Sequence, residues 1–161
     1  MILFFERRVT AWTSQFNVYK EDGDIFCQIY GKIAATKKFL VLNEDGSQIG
    51  EVSETLLSVP SRYHLIKDGT VQATVKKGGL FRSGYTADNG WTVEEKTKNW
   101  DWTIRKDDGS EAARLSKTLP GASGLNGVVI ADDVDPLLVV MMIVAVDAER
   151  CEKLSAKIRR N

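Results

Sequence analysis

Basic side chains are the strongest candidates for a binding function in this sequence. Lys76, Lys77 and Arg82 flank a Gly78-Gly79 turn, and Lys37-Lys38 lies near another predicted strand end. If the fold gathers these residues at one end of the molecule, they could contact phosphates or anionic lipid head groups. The alternative is a solvated surface with scattered charges, and the residues alone leave both interpretations open.

The aspartates and the histidine that could bind a metal ion or act in catalysis lack the additional ligands or the nucleophile that such a site requires. Asp132, Asp133 and Asp135 could attract a cation, but Ca²⁺ takes six to eight oxygen ligands, so we interpret them as helix-capping residues. His64 is the only histidine and has no identifiable nucleophile beside it, which favours a packing role. We therefore predict no catalytic residue, no metal site and no cofactor, and we expect a protein that is not an enzyme.

Charge and cysteine content bound the partner and the compartment. The formal net charge is zero, so no overall field favours nucleic acid. Cys27 and Cys151 form no Cys-x-x-Cys motif, and the apolar Met1 to Phe5 segment lacks the basic region of a signal peptide. We expect two free thiols, a monomer as the default state, and a cytoplasmic location. Peripheral contact with a membrane from the cytoplasmic side is compatible with that location.

The elements that must position these residues are short strands joined by tight turns. Asp-Gly or Asn-Gly pairs recur, and such pairs favour type I′ hairpins with positive φ at both central residues. The pairs are Asp22-Gly23, Asp45-Gly46, Asp68-Gly69, Asn89-Gly90 and Asp108-Gly109. Apolar and polar residues alternate on their flanks, which predicts about ten to twelve antiparallel strands between Ile2 and Ile130. Alternation fails between Gln48 and Thr55, where we predict a β-bulge.

A helix is predicted after the strands. Every residue from Leu137 to Val146 is apolar, Asp135 is a plausible N-cap, and Pro136 suits the first helical position. At 1.5 Å per residue this run would span about 15 Å, half of a bilayer core, so we predict no transmembrane span. Residues 148–161 are more polar and form either a helical extension or a frayed tail.

The predicted strands and the predicted helix together indicate the architecture. A many-stranded sheet with one apolar face needs a cover, and a helix that is apolar on all sides must be surrounded. A closed barrel around the helix meets both needs and leaves no exposed sheet edge. We predict a single, mainly β domain over residues 1–161, a roughly twelve-stranded antiparallel barrel around a central hydrophobic C-terminal helix.

Several segments resemble the LURP-one-related family. Ile130 to Leu138, continuing to Asp147, is similar to its C-terminal signature, an aspartate-rich entry into an apolar helix. Thr55 to Ser58 with Arg62-Tyr63 resembles its middle hairpin, and Ala113 to Lys117 its segment before the helix. The resemblance implies a twelve-stranded barrel around a central helix, as in tubby C-terminal domains and phospholipid scramblases. The compact length is similar to that of prokaryotic members.

The resemblance implies less about function. Tubby domains bind phosphoinositides, scramblases associate with membranes, and plant members relate to defence, but no activity is general to the family. We expect a non-enzymatic binding or scaffold module whose candidate partner is an anionic membrane surface. The alternative is a protein partner that engages the C-terminal helical extension.

Overall fold

The computed structural model describes residues 1–32, 34–78, 84–97, 100–117, 119 and 124–159. Within these residues, twelve strands precede one helix, α1, which spans Pro136–Arg159. The strands are β1 (Ile2–Phe5), β2 (Gln15–Lys20), β3 (Ile25–Lys32), β4 (Lys38–Leu42), β5 (Gln48–Glu54), β6 (Arg62–Lys67), β7 (Thr70–Lys77), β8 (Tyr85–Ala87), β9 (Thr92–Thr97), β10 (Asp101–Arg105), β11 (Glu111–Ser116) and β12 (Asn126–Ile130).

The strands form a closed barrel. Each strand pairs antiparallel with the next one along the chain, and β12 returns to pair with β1, with Leu3 opposite Val128. Each of the twelve described strands therefore has a partner on both sides, so none of them offers a free edge to another chain. The predicted mainly β, twelve-stranded antiparallel barrel is therefore confirmed.

The predicted bulge is also present. Val41 of β4 lies opposite Gly50 of β5, whereas Leu42 lies opposite Gln48, so Ile49 has no partner in the register. Because of this extra residue, the positions that follow it return to the inward face of the barrel. Gly50 and Val52 are both buried on that face.

The tight turns differ in type from the prediction. All five glycines of the Asp-Gly and Asn-Gly pairs have positive φ, but only in Asp68-Gly69 does the residue before glycine also have positive φ. In the other four turns the acidic or amide side chain has a different role. It accepts a hydrogen bond from the backbone N–H two residues on, as Asp45 does from Ser47 at 2.8 Å. Glycine supplies the left-handed position, and the side chain satisfies the turn.

The core joins the inward faces of the strands to α1. Eleven consecutive residues, Val139 to Glu149, are buried, which covers every side of a helix. α1 contacts β5, β6 and β7. A Cβ at Gly50 would lie 3.0 Å from Met141 Sδ, so the glycine lets helix and strand approach closely.

The start of α1 follows the predicted capping pattern. Asp135 Oδ1 accepts a hydrogen bond from the backbone N–H of Leu137 at 2.9 Å, which confirms the N-cap. Among the described residues, no helix combines the length and apolar character that crossing a bilayer requires. Cys27 and Cys151 are both buried, and they form no disulfide bond with each other.

Candidate functional site

The connections of the barrel divide into two groups of opposite charge. Because neighbouring strands are antiparallel, successive connections alternate between the two barrel ends. One end holds all five glycine turns and the 131–135 segment, and we name it the acidic end. Its six connections carry Lys106 as their one basic residue and twelve acidic residues. These are Glu21, Asp22, Asp24, Glu44, Asp45, Asp68, Asp88, Asp107, Asp108, Asp132, Asp133 and Asp135.

The opposite end has the reverse balance, and we name it the basic end. Among the described residues of its six connections, Glu6 is the one acid, and Arg7, Arg8, Lys37 and Lys117 are basic. The residues at the ends of the strands contribute similar charge at both barrel ends. The difference in charge between the two ends therefore comes from the connections. Seven basic residues described at this end are exposed to solvent, and one of them is Lys96 near the end of β9. The other six are Arg7, Lys32, Arg62, Lys76, Lys77 and Lys117.

The structure places four of the five sequence candidates at the basic end, and Arg82 lies outside the described residues. Lys76 and Lys77 are exposed. Lys38 is half-buried, with its Nζ 3.3 Å from Glu51 Oε1. Lys37 departs from the expected exposed contact because only 4% of it is accessible. Its Nζ lies 3.5 Å from Tyr63 Oη and 5.2 Å from the centre of the Trp12 ring, so Lys37 is part of the packing.

Arg62 lies beside these residues, although it was not among the predicted contacts. It lies directly opposite Lys76 in the β6–β7 register, and both side chains are exposed. Neither forms an ion pair with a described residue. Counting back from the Asp68-Gly69 turn would place Arg62 opposite Val75. A register shift between Leu65 and Ile66 moves its partner to Lys76, so the sequence pattern alone did not predict this pair.

Beside this pair, the β5–β6 connection presents apolar side chains to solvent. Residues 55–61, which we name the apolar loop, include Leu56, Leu57 and Val59, whose exposed fractions are 62%, 93% and 97%. The base of the loop is ordered by hydrogen bonds. Thr55 N donates to Arg62 O at 2.8 Å, and Ser61 Oγ donates to Glu54 Oε1 at 3.0 Å.

Where α1 leaves the core, at the basic end, buried charges are paired. Asp147 is 3% exposed and accepts a hydrogen bond from Arg8 Nη2 at 2.8 Å. Trp100 Nε1 donates to the same carboxylate at 3.4 Å. The Arg8 guanidinium lies 5.8 Å and 5.7 Å from the ring centres of Trp100 and Trp102. Burial raises the pKa of Asp147, although Arg8 and Trp100 act in the opposite direction.

A second pair lies one half-turn further along α1. Tyr85 Oη donates to Glu149 Oε2 at 2.7 Å, and burial together with this carboxylate raises the pKa of Tyr85. Arg150 pairs with Glu95 on β9. These contacts fasten the helix to the barrel wall.

The remaining candidate groups are also held by structural contacts. The two ring nitrogens of His64 lie 3.1 Å from Thr55 Oγ1 and 2.9 Å from Thr74 Oγ1. Burial raises the pKa of the Cys27 thiol to about 12, which makes it a poor nucleophile. Lys106 holds the pKa of Asp133 below its usual value. In the part of the chain that is described, no group of histidine, cysteine and acidic residues is arranged to hold a metal ion.

Fold and surface together define a class of protein: a closed antiparallel barrel with a buried C-terminal helix and oppositely charged ends. A model of the LURP-one-related family matches residues 1–147, and the chain belongs to that family. A protein from Arabidopsis thaliana, known from an X-ray structure, has the same fold with a TM-score of 0.66 and 12% sequence identity. The match covers 91% of this chain and 89% of that chain. No curated protein matches the sequence.

Proposed function

We propose that this protein is a non-enzymatic binding module that docks its basic end onto an anionic membrane surface from the cytoplasmic side. The observation that carries the proposal is the separation of charge between the two barrel ends. The polar contacts of His64 and the buried state of Cys27 support a role without catalysis.

The separation of charge would both attract and orient the molecule. Each lysine or arginine near an anionic leaflet contributes about 1 kcal/mol, and the effect decays within a Debye length of about 10 Å. The exposed residues of the basic end can approach the surface together, while repulsion keeps the acidic end away from it. The expected binding is therefore reversible and weakens as salt is added.

Co-sedimentation with vesicles tests this proposal. Vesicles containing phosphatidylserine should retain the protein at low salt, and vesicles of phosphatidylcholine alone should not. Arg62→Glu combined with Lys76→Glu should abolish retention. Lys20→Glu combined with Arg105→Glu, which makes the same four-unit change in charge at the acidic end, serves as the matched control and should bind normally. Equal recovery on both vesicle types, or equal loss in the two variants, would refute the proposal.

A protein partner engaged by the end of α1 is the second candidate. The helix backbone continues for eight residues beyond Cys151, to Arg159, which corresponds to about 12 Å. Cys151 itself belongs to the packed structure, because its Sγ lies 3.0 Å from Thr10 O. A truncation after Cys151 should therefore leave the barrel folded. If that truncation abolishes capture of a partner while vesicle binding persists, the interaction function is supported; if capture is unchanged, this candidate is excluded.

A further inference from the structure

We infer that the apolar loop is a membrane-insertion element that places Leu56, Leu57 and Val59 among the acyl chains of an anionic bilayer. This inference rests on the proposed membrane function and adds the part of the chain that enters the lipid. It differs from purely electrostatic docking, in which the protein would stay above the head groups.

The loop carries two energetic costs that folding alone does not explain. Three large apolar side chains face water, although the same residue types fill the interior of the barrel. Leu57 also has a φ of 56°, a left-handed conformation that is unfavourable for a residue with a Cβ. Strained and solvent-exposed apolar residues on an ordered base are typical of binding loops.

Adjacent charges identify the surface that the loop fits. Arg62 follows the loop directly, and Lys76 lies across from Arg62 on β7. An apolar tip with basic residues at its base matches a bilayer that has an apolar interior and anionic head groups. Membrane attachment generally needs two such signals, because one short apolar contact or one basic patch alone gives marginal binding.

A tryptophan at the same barrel end supports the same orientation. Trp12 is 53% exposed, and Lys37 lies between the Trp12 ring and Tyr63 Oη at the start of β6. Tryptophan favours the interface between head groups and acyl chains. Trp12 is also a useful reporter, because Trp100 and Trp102 are buried and Trp91 is half-buried.

The experiment compares four proteins on vesicles of phosphatidylcholine with phosphatidylserine. These are the wild type, the electrostatic variant Arg62→Glu with Lys76→Glu, the loop variant Leu57→Ser with Val59→Ser, and the control Val71→Ser. Val71 is an exposed apolar residue on the barrel wall, 49% accessible, near the acidic end. Burying one aliphatic side chain in an apolar medium strengthens binding by about tenfold, so the loop variant should bind about 100-fold more weakly. The control should bind like the wild type.

Two further readouts separate insertion from loss of fold or of charge. Lipids with brominated acyl chains should quench wild-type tryptophan fluorescence, and Trp12→Phe should remove most of that quenching. The thermal midpoint of the loop variant should equal that of the wild type, because Leu57 and Val59 make little contact with the core.

The outcomes distinguish this inference from the proposal on which it rests. If the wild type does not bind anionic vesicles, the proposed function itself fails. If the wild type binds and the electrostatic variant does not, but the loop variant binds within twofold of the wild type, docking is electrostatic and insertion is overturned. Equal binding of the wild type to neutral vesicles would overturn the choice of an anionic bilayer.

Discussion

Replacing Arg8 with methionine should destabilise the barrel by leaving a buried carboxylate without its main partner. Asp147 is 3% exposed, and Arg8 supplies its shortest hydrogen bond, at 2.8 Å. Methionine is an unbranched apolar side chain, so the change removes the guanidinium, with its hydrogen bonds to Asp147 and its position beside the Trp100 and Trp102 rings. The 3.4 Å hydrogen bond from Trp100 Nε1 would remain, but it is long and neutral.

The size of the effect follows from this geometry. Removing one partner of a buried ion pair costs about 3–5 kcal/mol, and the half-exposed position of Arg8 favours the lower value. A loss of about 3 kcal/mol is a large part of a typical domain stability of about 5–15 kcal/mol. For a chain of this length it corresponds to a fall in Tm of about 6–12 °C.

The loss should depend on pH in a defined direction. Burial already raises the pKa of Asp147, and removal of Arg8 raises it further. The folded variant therefore binds a proton at a higher pH than the unfolded chain does, so protonation stabilises the fold. The penalty should be full at pH 7 and should shrink as the pH falls through the raised pKa of the folded state.

Urea unfolding monitored by tryptophan fluorescence at pH 7 and pH 4.5 measures this effect. Arg105→Met is the matched control, because it breaks an exposed pair with Glu94 and should cost less than about 1 kcal/mol. Adding Asp147→Asn to Arg8→Met should recover much of the loss. A difference from wild type below about 1 kcal/mol at pH 7, or one that stays constant with pH, would refute the reasoning.

Three other substitutions test the architecture. Met142→Asp should prevent folding, because Met142 is 1% exposed and an unpaired buried charge costs several kcal/mol; a folded variant by circular dichroism would mean that the helix is not essential to the core. Gly31→Ala should lower stability by about 1–3 kcal/mol in urea unfolding, since the new Cβ would lie near a backbone oxygen; an unchanged midpoint would contradict this clash. Asp135→Ala should cost about 1 kcal/mol through loss of the N-cap, and a neutral effect would show that capping is unimportant here.

Local patterns predicted much of the fold because they depend on neighbouring residues. Alternation set the strands, and the break near Ile49 correctly indicated a bulge. The aspartates before α1 indicated its start. The turn type was wrong at four of the five glycine turns, since the side-chain hydrogen bond to the residue after glycine competes with the type I′ geometry.

The candidate site was less predictable. Lys37 and Lys38 are adjacent in sequence, but one packs beside Tyr63 and Trp12 while the other pairs with Glu51. By contrast, Lys76 and Lys77 at the end of β7 are both exposed, so adjacency in sequence does not decide whether a basic pair faces solvent. Exposure of the apolar loop depended on which strands surround it, and that information is not local.

The sequence by itself determined the strands, the tight turns, the capped helix and a net charge of zero. Only the tertiary structure decided where the charges lie. Since each strand reverses the direction of the chain, every glycine turn returns to the same barrel end and brings its acidic residues with it. The longer connections, with their basic residues and the apolar loop, collect at the other end. A net charge is a sum over the chain and does not specify where the charges lie. A chain with zero net charge therefore folds here into a molecule with oppositely charged ends.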